Sequence, residues 1–176
     1  MPRSKTSPLN PRTPLPSASE MSFGLVVAEW NRDINEVLLE GAVRTLKAAG
    51  CPEYNIQIKY VPGTFELMLG AQFVAEYTDV DAIILLGCTI RDEAGYAATI
   101  CQGVVQGAVQ VQLQWNVPVL LGIIEVDDRT QALSFCGGSA GNQGEFVAAQ
   151  AINMVKLQVD MEAASPNIIS DRREVN

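Results

Sequence analysis

Four short apolar runs, each followed by a longer segment of helical spacing, restrict this chain more than any other feature. The runs are FGLVVAEW (23–30), YNIQIKYVPG (54–63), DAIILLGC (81–88) and VPVLLGIIEV (117–126). Strands buried on both faces lose the polar alternation of a half-exposed sheet, which the first and third runs show. The second alternates around Ile56, Ile58 and Tyr60 and stops at Pro62-Gly63, a strand entering a turn. Helices are predicted over 32–50, 64–77, 95–116 and 144–164. In the first of these Ile34, Val37, Leu38, Ala42, Leu46 and Ala49 recur at helical spacing between Asp33 and the terminator Gly50. Strand and helix alternating four times predict an α/β three-layer sandwich, a four-stranded parallel sheet between helix layers with right-handed crossovers.

In such a sheet, ligands bind outside the carboxyl ends of the strands. Those ends are AEWN, VPGTFE, GCTIRDE and GIIEVDD. They offer Trp30 as a stacking surface, the carboxylates of Glu66, Asp92, Glu93, Glu125, Asp127 and Asp128, and Arg91 as the nearby cation. A carboxylate pair in a cleft can raise one pKa into a useful range, although acidic loop ends are more often simply solvated. The glycine-rich CGGSAGNQG (136–144) precedes the last helix, where free N–H groups could hold an anion. It has neither P-loop nor G-x-G-x-x-G spacing, and it reads equally well as an entry turn.

The 176 residues suit one globular core. A Pro/Ser-rich arm (1–20), a domain (21–160) and a polar tail (161–176) are expected. The arm carries positive charge and five prolines but no apolar core for a secretory signal, and no segment is long enough to span a bilayer. A net charge of −8 and a pI near 4.5 argue against nucleic acid and anionic membranes as partners. Cys51, Cys88, Cys101 and Cys136 form no C-x-x-C pair, and the chain has no histidine. No metal site is expected, and free thiols fit a reducing cytoplasm. Without histidine neither a Ser/His nor a Cys/His dyad can form, so nucleophilic catalysis ranks below binding.

The segments VVAEWN, LLEGAVRTL, VPGTFEL, DAIILLGCTIRDE, ICQGVVQG, VPVLLG and GGSAGNQG occur in this order across residues 23–157. In that order they resemble the 6,7-dimethyl-8-ribityllumazine synthase family. The resemblance implies a flavodoxin-like fold assembled as a homo-pentamer, often as a 60-subunit icosahedral shell, with active sites between adjacent subunits. It implies a riboflavin-pathway condensation of a ribitylamino-pyrimidinedione with a dihydroxybutanone phosphate, using no cofactor and no metal. Carried over by position, Trp30 stacks on the pyrimidine-like ring beside Asn31. Gly63, Thr64 and Glu66 meet the ribityl chain, and Cys88, Thr89 and Ile90 offer backbone groups to the ring. In the family, the arm before the first strand adds a strand to a neighbour's sheet.

Other positions depart from the family pattern. Its turn Gly-Glu-Thr-Pro-His is here Asp92, Glu93, Ala94, Gly95 and Tyr96. Tyr96 thus replaces the proton-transferring histidine, and a phenol ordinarily ionises about three units above neutral pH. Asp92 replaces a glycine beside the phosphate position, and Ala94 removes a hydroxyl donor. The phosphate-contacting Arg-Ala-Gly-(Thr/Gly)-Lys run is replaced from Phe135 to Ser139, and a later lysine by Gln143. The aromatic lent by a neighbouring subunit becomes Leu121, and two threonines after the fourth strand become Glu125 and Val126. Each lost charge-assisted phosphate contact removes about 1.5 to 3 kcal/mol.

These departures concentrate in site loops while the scaffold segments remain. The pattern therefore points to an assembly-forming family member with little or no synthase activity. The alternatives are an active synthase with a divergent site, or a non-catalytic binder of a flavin-like or pterin-like ring.

Overall fold

The computed structural model describes residues 14–91 and 96–164. Its central sheet contains β1 (Phe23–Ala28), β2 (Ile56–Val61), β3 (Ala82–Ile90) and β4 (Val119–Val126), all parallel in the order β2-β1-β3-β4. The helices are α1 (Arg32–Ala48), α2 (Leu67–Tyr77), α3 (Ala97–Trp115), a short α4 (Arg129–Ser134) and α5 (Gln143–Ala164). Every residue of β1 and β3 is buried, which is why those runs lack polar alternation.

The sheet separates two apolar layers. On one face Phe23, Leu25, Ile84 and Leu86 pack against Ile34, Leu38 and Leu46 of α1 and Val147, Ala151 and Ile152 of α5. On the other Val26, Ile83 and Leu85 pack against Leu67, Ala71 and Val74 of α2 and Ala108 and Val111 of α3. Each fully buried leucine or isoleucine contributes about 2 kcal/mol. Helices α1 and α5 cross closely because position 144 is glycine: a Cβ there would stand 1.8 Å from the Leu38 carbonyl oxygen.

Several element ends differ from expectation. Strand β1 stops at Ala28, β3 runs on to Ile90, and α2 starts at Leu67 after a turn through Thr64 and Phe65. Helix α4 and a small hairpin, β5 (Cys136–Gly138) with β6 (Gly141–Asn142), fill the segment left without elements. Helix α4 is opened by Asp128, whose side chain accepts from the Gln131 N–H at 2.8 Å, while Gln131 Oε1 accepts from the Asp127 N–H. Ala18 is fully buried and its N–H donates to the Ala49 carbonyl at 2.8 Å, so the compact fold begins before the first strand. Residues 161–164 of the expected tail still belong to α5.

Candidate functional site

The carboxyl end of β1 is shaped by two asparagines. Asn31 adopts the left-handed conformation (φ 58°, ψ 42°), which asparagine tolerates better than most residues. Its amide donates to the Cys88 carbonyl at 3.2 Å, tying this turn to the end of β3. Asn35, fully buried one turn into α1, donates to the carbonyls of Ala28 and Trp30, both at 2.8 Å. The Trp30 N–H in turn donates to the Pro62 carbonyl, so the β1 and β2 ends are stitched together. Trp30 is thereby fixed at its backbone while its side chain stays exposed.

The turn after β2 is seated on β3. Thr64 and Thr89 are buried and their hydroxyls meet at 3.3 Å. Gly87 lies tightly beneath: a Cβ there would stand 3.1 Å from Leu67 Cδ1 and 3.3 Å from Thr64 Oγ1, so both neighbours would have to give by a few tenths of an ångström. Glu66 folds back over the turn: a Cβ on Gly63 would lie 3.0 Å from its Oε2.

Together these ends and the start of α3 enclose a cavity of about 560 Å³. It is lined by Trp30, Gly63, Thr64, Phe65, Glu66, Cys88, Thr89, Ile90, Tyr96, Thr99 and Ile100. The structure thus brings together eight positions singled out in the sequence: Trp30, Gly63, Thr64, Glu66, Cys88, Thr89, Ile90 and Tyr96. Asn31 supports the wall through its bond to Cys88. Phe65, Thr99 and Ile100 line it as well. Phe65 lies inside the VPGTFE turn, and Thr99 and Ile100 stand three and four residues after Tyr96, so helical spacing was the available signal.

Other expected positions lie elsewhere. Leu121 is half-buried in β4 beside Leu85, on the α2/α3 side of the sheet. Phe135, the first residue of the replaced phosphate-contacting run, packs against the α1/α5 layer. Ser139 is exposed in the small hairpin, and the Gln143 N–H donates to the Phe135 carbonyl at 2.9 Å. Asp92, Glu93 and Ala94 lie outside the described residues.

The glycine-rich segment closes on itself. Gly137 and Gly141 take positive φ (93° and 79°) to turn the hairpin. Asn142 Oδ1 accepts from the Gly144 N–H at 2.8 Å and the Glu145 N–H at 3.4 Å, and Glu145 is ion-paired with Arg44. The amino end of α5 is therefore capped by its own chain and carries an acid in its first turn, which opposes an anion there.

The electrostatics have the same sign throughout. Among the described lining residues Glu66 is the single formal charge. Arg91, next along the chain from Ile90, is held by Glu125 at 3.4 Å and Asp127 at 2.5 Å. Arg129 is paired with Asp33. Cys101 Sγ lies 4.0 Å from Thr89 Oγ1. Burial pushes the Cys101 thiol up, the Thr89 hydroxyl pulls it partly back, and the Glu125 carboxylate raises it further. It is held as a thiol, the wrong form for a nucleophile. The chemistry available is stacking, hydrogen bonding to a polyol from Thr64, Glu66 and backbone groups, and carboxylate interactions.

A family model for 6,7-dimethyl-8-ribityllumazine synthase matches residues 20–159. The chain is similar to proteins of that name from Parabacteroides distasonis, 44% identical over 81% of this chain and 89% of that protein. It is similar also to those from Bacteroides fragilis, 44% identical over 77% of this chain and 94% of that protein, and Cytophaga hutchinsonii, 45% identical over 80% and 89%.

Proposed function

The chain belongs to the 6,7-dimethyl-8-ribityllumazine synthase family of riboflavin biosynthesis, and from that premise we propose that it keeps the ring-binding half of the family site and has lost the phosphate-handling half. In this reading it is a weakly active or inactive synthase, located in the cytoplasm, that binds a pyrimidine-like or flavin-like ring carrying a polyol. One observation carries the reading. The described lining of the cavity holds an aromatic wall, the hydroxyls of Thr64, Thr89, Thr99 and Tyr96, and a carboxylate, but no arginine, lysine or histidine. The nearest arginine in sequence is already committed to two carboxylates. A dianionic phosphate entering here would face uncompensated negative charge, and proton transfer would fall to Tyr96 or a carboxylate.

The reading includes assembly. Leu69, Phe73 and Tyr77 along α2, Ile58 on β2, and Leu113 on α3 are all exposed in the single chain. Apolar surface on this scale is characteristic of an interaction face. A homo-pentamer, the family's unit and in many members the building block of a sixty-subunit shell, would cover it. Leu121, Phe135, Ser139 and Gln143 are proposed as the degenerate counterparts of residues that complete a site between subunits.

Riboflavin, which carries such a ring and a ribityl chain, is the probe. It should quench Trp30 emission saturably, and Trp30→Ala should abolish the effect. A flat titration would remove the ring-binding reading. Sedimentation should give a particle far above the 19.0 kDa chain, and a monomer at micromolar concentration would remove the assembly.

A further inference from the structure

Building on the ring-binding reading above, we infer that the cavity selects a positively charged heteroaromatic ring over a neutral one, and a neutral one over an anion. Three aromatic side chains, Trp30, Phe65 and Tyr96, line the cavity while remaining 61%, 67% and 66% exposed. Their ring faces carry negative electrostatic potential and attract a cation placed against them. Glu66 lines the same cavity, its carboxylate folded over Gly63 at the turn.

Glu125, outside the lining itself, adds to this. Thr89 lies opposite Glu125 across the β3–β4 ladder, and the Glu125 carboxylate is near enough to push the Cys101 thiol upward through space. Arg91 does not offset these charges, because Glu125 and Asp127 both hold it and leave that group with one carboxylate in excess. Arg129 is likewise matched by Asp33. Three aromatic side chains, a cavity of about 560 Å³ and an excess of carboxylates favour an aromatic cation over an anion. Opposite charges a few ångströms apart at a protein surface interact strongly enough to order ligands by charge.

The test uses three one-ring probes of nearly the same shape: 1-methylnicotinamide (cation), nicotinamide (neutral) and nicotinate (anion). Their binding to the full chain is followed by ligand-observed NMR at low ionic strength, with Trp30→Ala as the control for the cavity. The cation should bind about tenfold more tightly than the anion, with the neutral probe between. Glu66→Gln should cut that gap to about threefold, and 0.5 M salt should narrow it in the wild-type chain. Equal affinities, a preference for nicotinate, or a gap unchanged in Glu66→Gln would overturn the inference. Riboflavin is titrated alongside. Riboflavin binding without a charge order sinks this inference and leaves the ring-binding reading standing; a charge order without riboflavin binding does the reverse.

Discussion

Asn35 is the residue on which the geometry of the cavity wall depends, and its replacement gives a calculable result. Its side chain is fully buried, its amide donates to the carbonyls of Ala28 and Trp30, and its own Oδ1 has no partner. Asn35→Ala deletes two hydrogen bonds, at about 1 kcal/mol each. It also opens a small cavity costing about 1 kcal/mol. Removing the unpartnered Oδ1 returns about 1 kcal/mol, so the net loss is about 2 kcal/mol. For a chain of this length that lowers the melting temperature by about 4 to 8 °C. Asn35→Asp is nearly the same shape but sets a carboxylate against two carbonyl oxygens, and should cost about 3 kcal/mol or more at pH 7.5.

The sign of the pH dependence follows. That carboxyl keeps its proton more tightly in the folded state, so its folded pKa lies above the unfolded value of about 3.9. The protonated form supplies one donor, and its stabilisation is full below the unfolded pKa and lost as pH rises through the folded one. Scanning calorimetry at matched protein concentration, at pH 4.5 and 7.5, measures both variants. The Asp variant should approach the Ala variant at the lower pH and fall well below it at the higher. In a Trp115→Phe background, Trp30 emission should shift in both. If Asn35→Ala melts with the parent, or the Asp variant shows no pH-dependent gap, the assigned role of Asn35 is wrong.

Three further outcomes are expected. Gly144→Ala should destabilise by about 3 kcal/mol, read as lost melting temperature or soluble yield, because the new Cβ meets the Leu38 carbonyl and α1 and α5 must separate. The thiols of Cys51, Cys101 and Cys136 are all raised, chiefly by burial. Stability should therefore hold up to the ordinary thiol range and fall as pH climbs through the raised native values, a slope that replacing these three cysteines with alanine should flatten. Deletion through residue 20 should lower the melting temperature, because it removes the buried Ala18 side chain and the Ala18–Ala49 hydrogen bond.

Much of the scaffold was readable because burial on both faces writes itself into FGLVVA and AIILLG as unbroken apolar runs. The order of elements followed from those runs, and the cavity from the rule that parallel sheets bind ligands at their carboxyl ends. What escaped depends on tertiary contact. Nothing local marks Ala18, in a proline-rich arm, as a residue docked beside Ala49. Helix α4 is six residues long, too short for a periodic signal, although Asp128 and Gln131 hold its capping pattern. Asn35 looks like an ordinary polar helix position until the bend after β1 carries two carbonyls to it. Phe135 and Leu121 lie away from the cavity of this chain, a placement set by which face of the sheet each packs on and written into no local pattern.

The central claim, a retained ring site without synthase chemistry, is tested most directly by steady-state lumazine formation from the ribitylamino-pyrimidinedione and dihydroxybutanone phosphate. The parent chain is measured beside a Tyr96→His, Phe135→Arg, Ser139→Lys triple variant. The account predicts little or no product from the parent and a clear gain, about a hundredfold or more, when the proton-transfer and cationic groups return. Parent turnover equal to that of the Parabacteroides distasonis relative, with no gain in the triple variant, would contradict it.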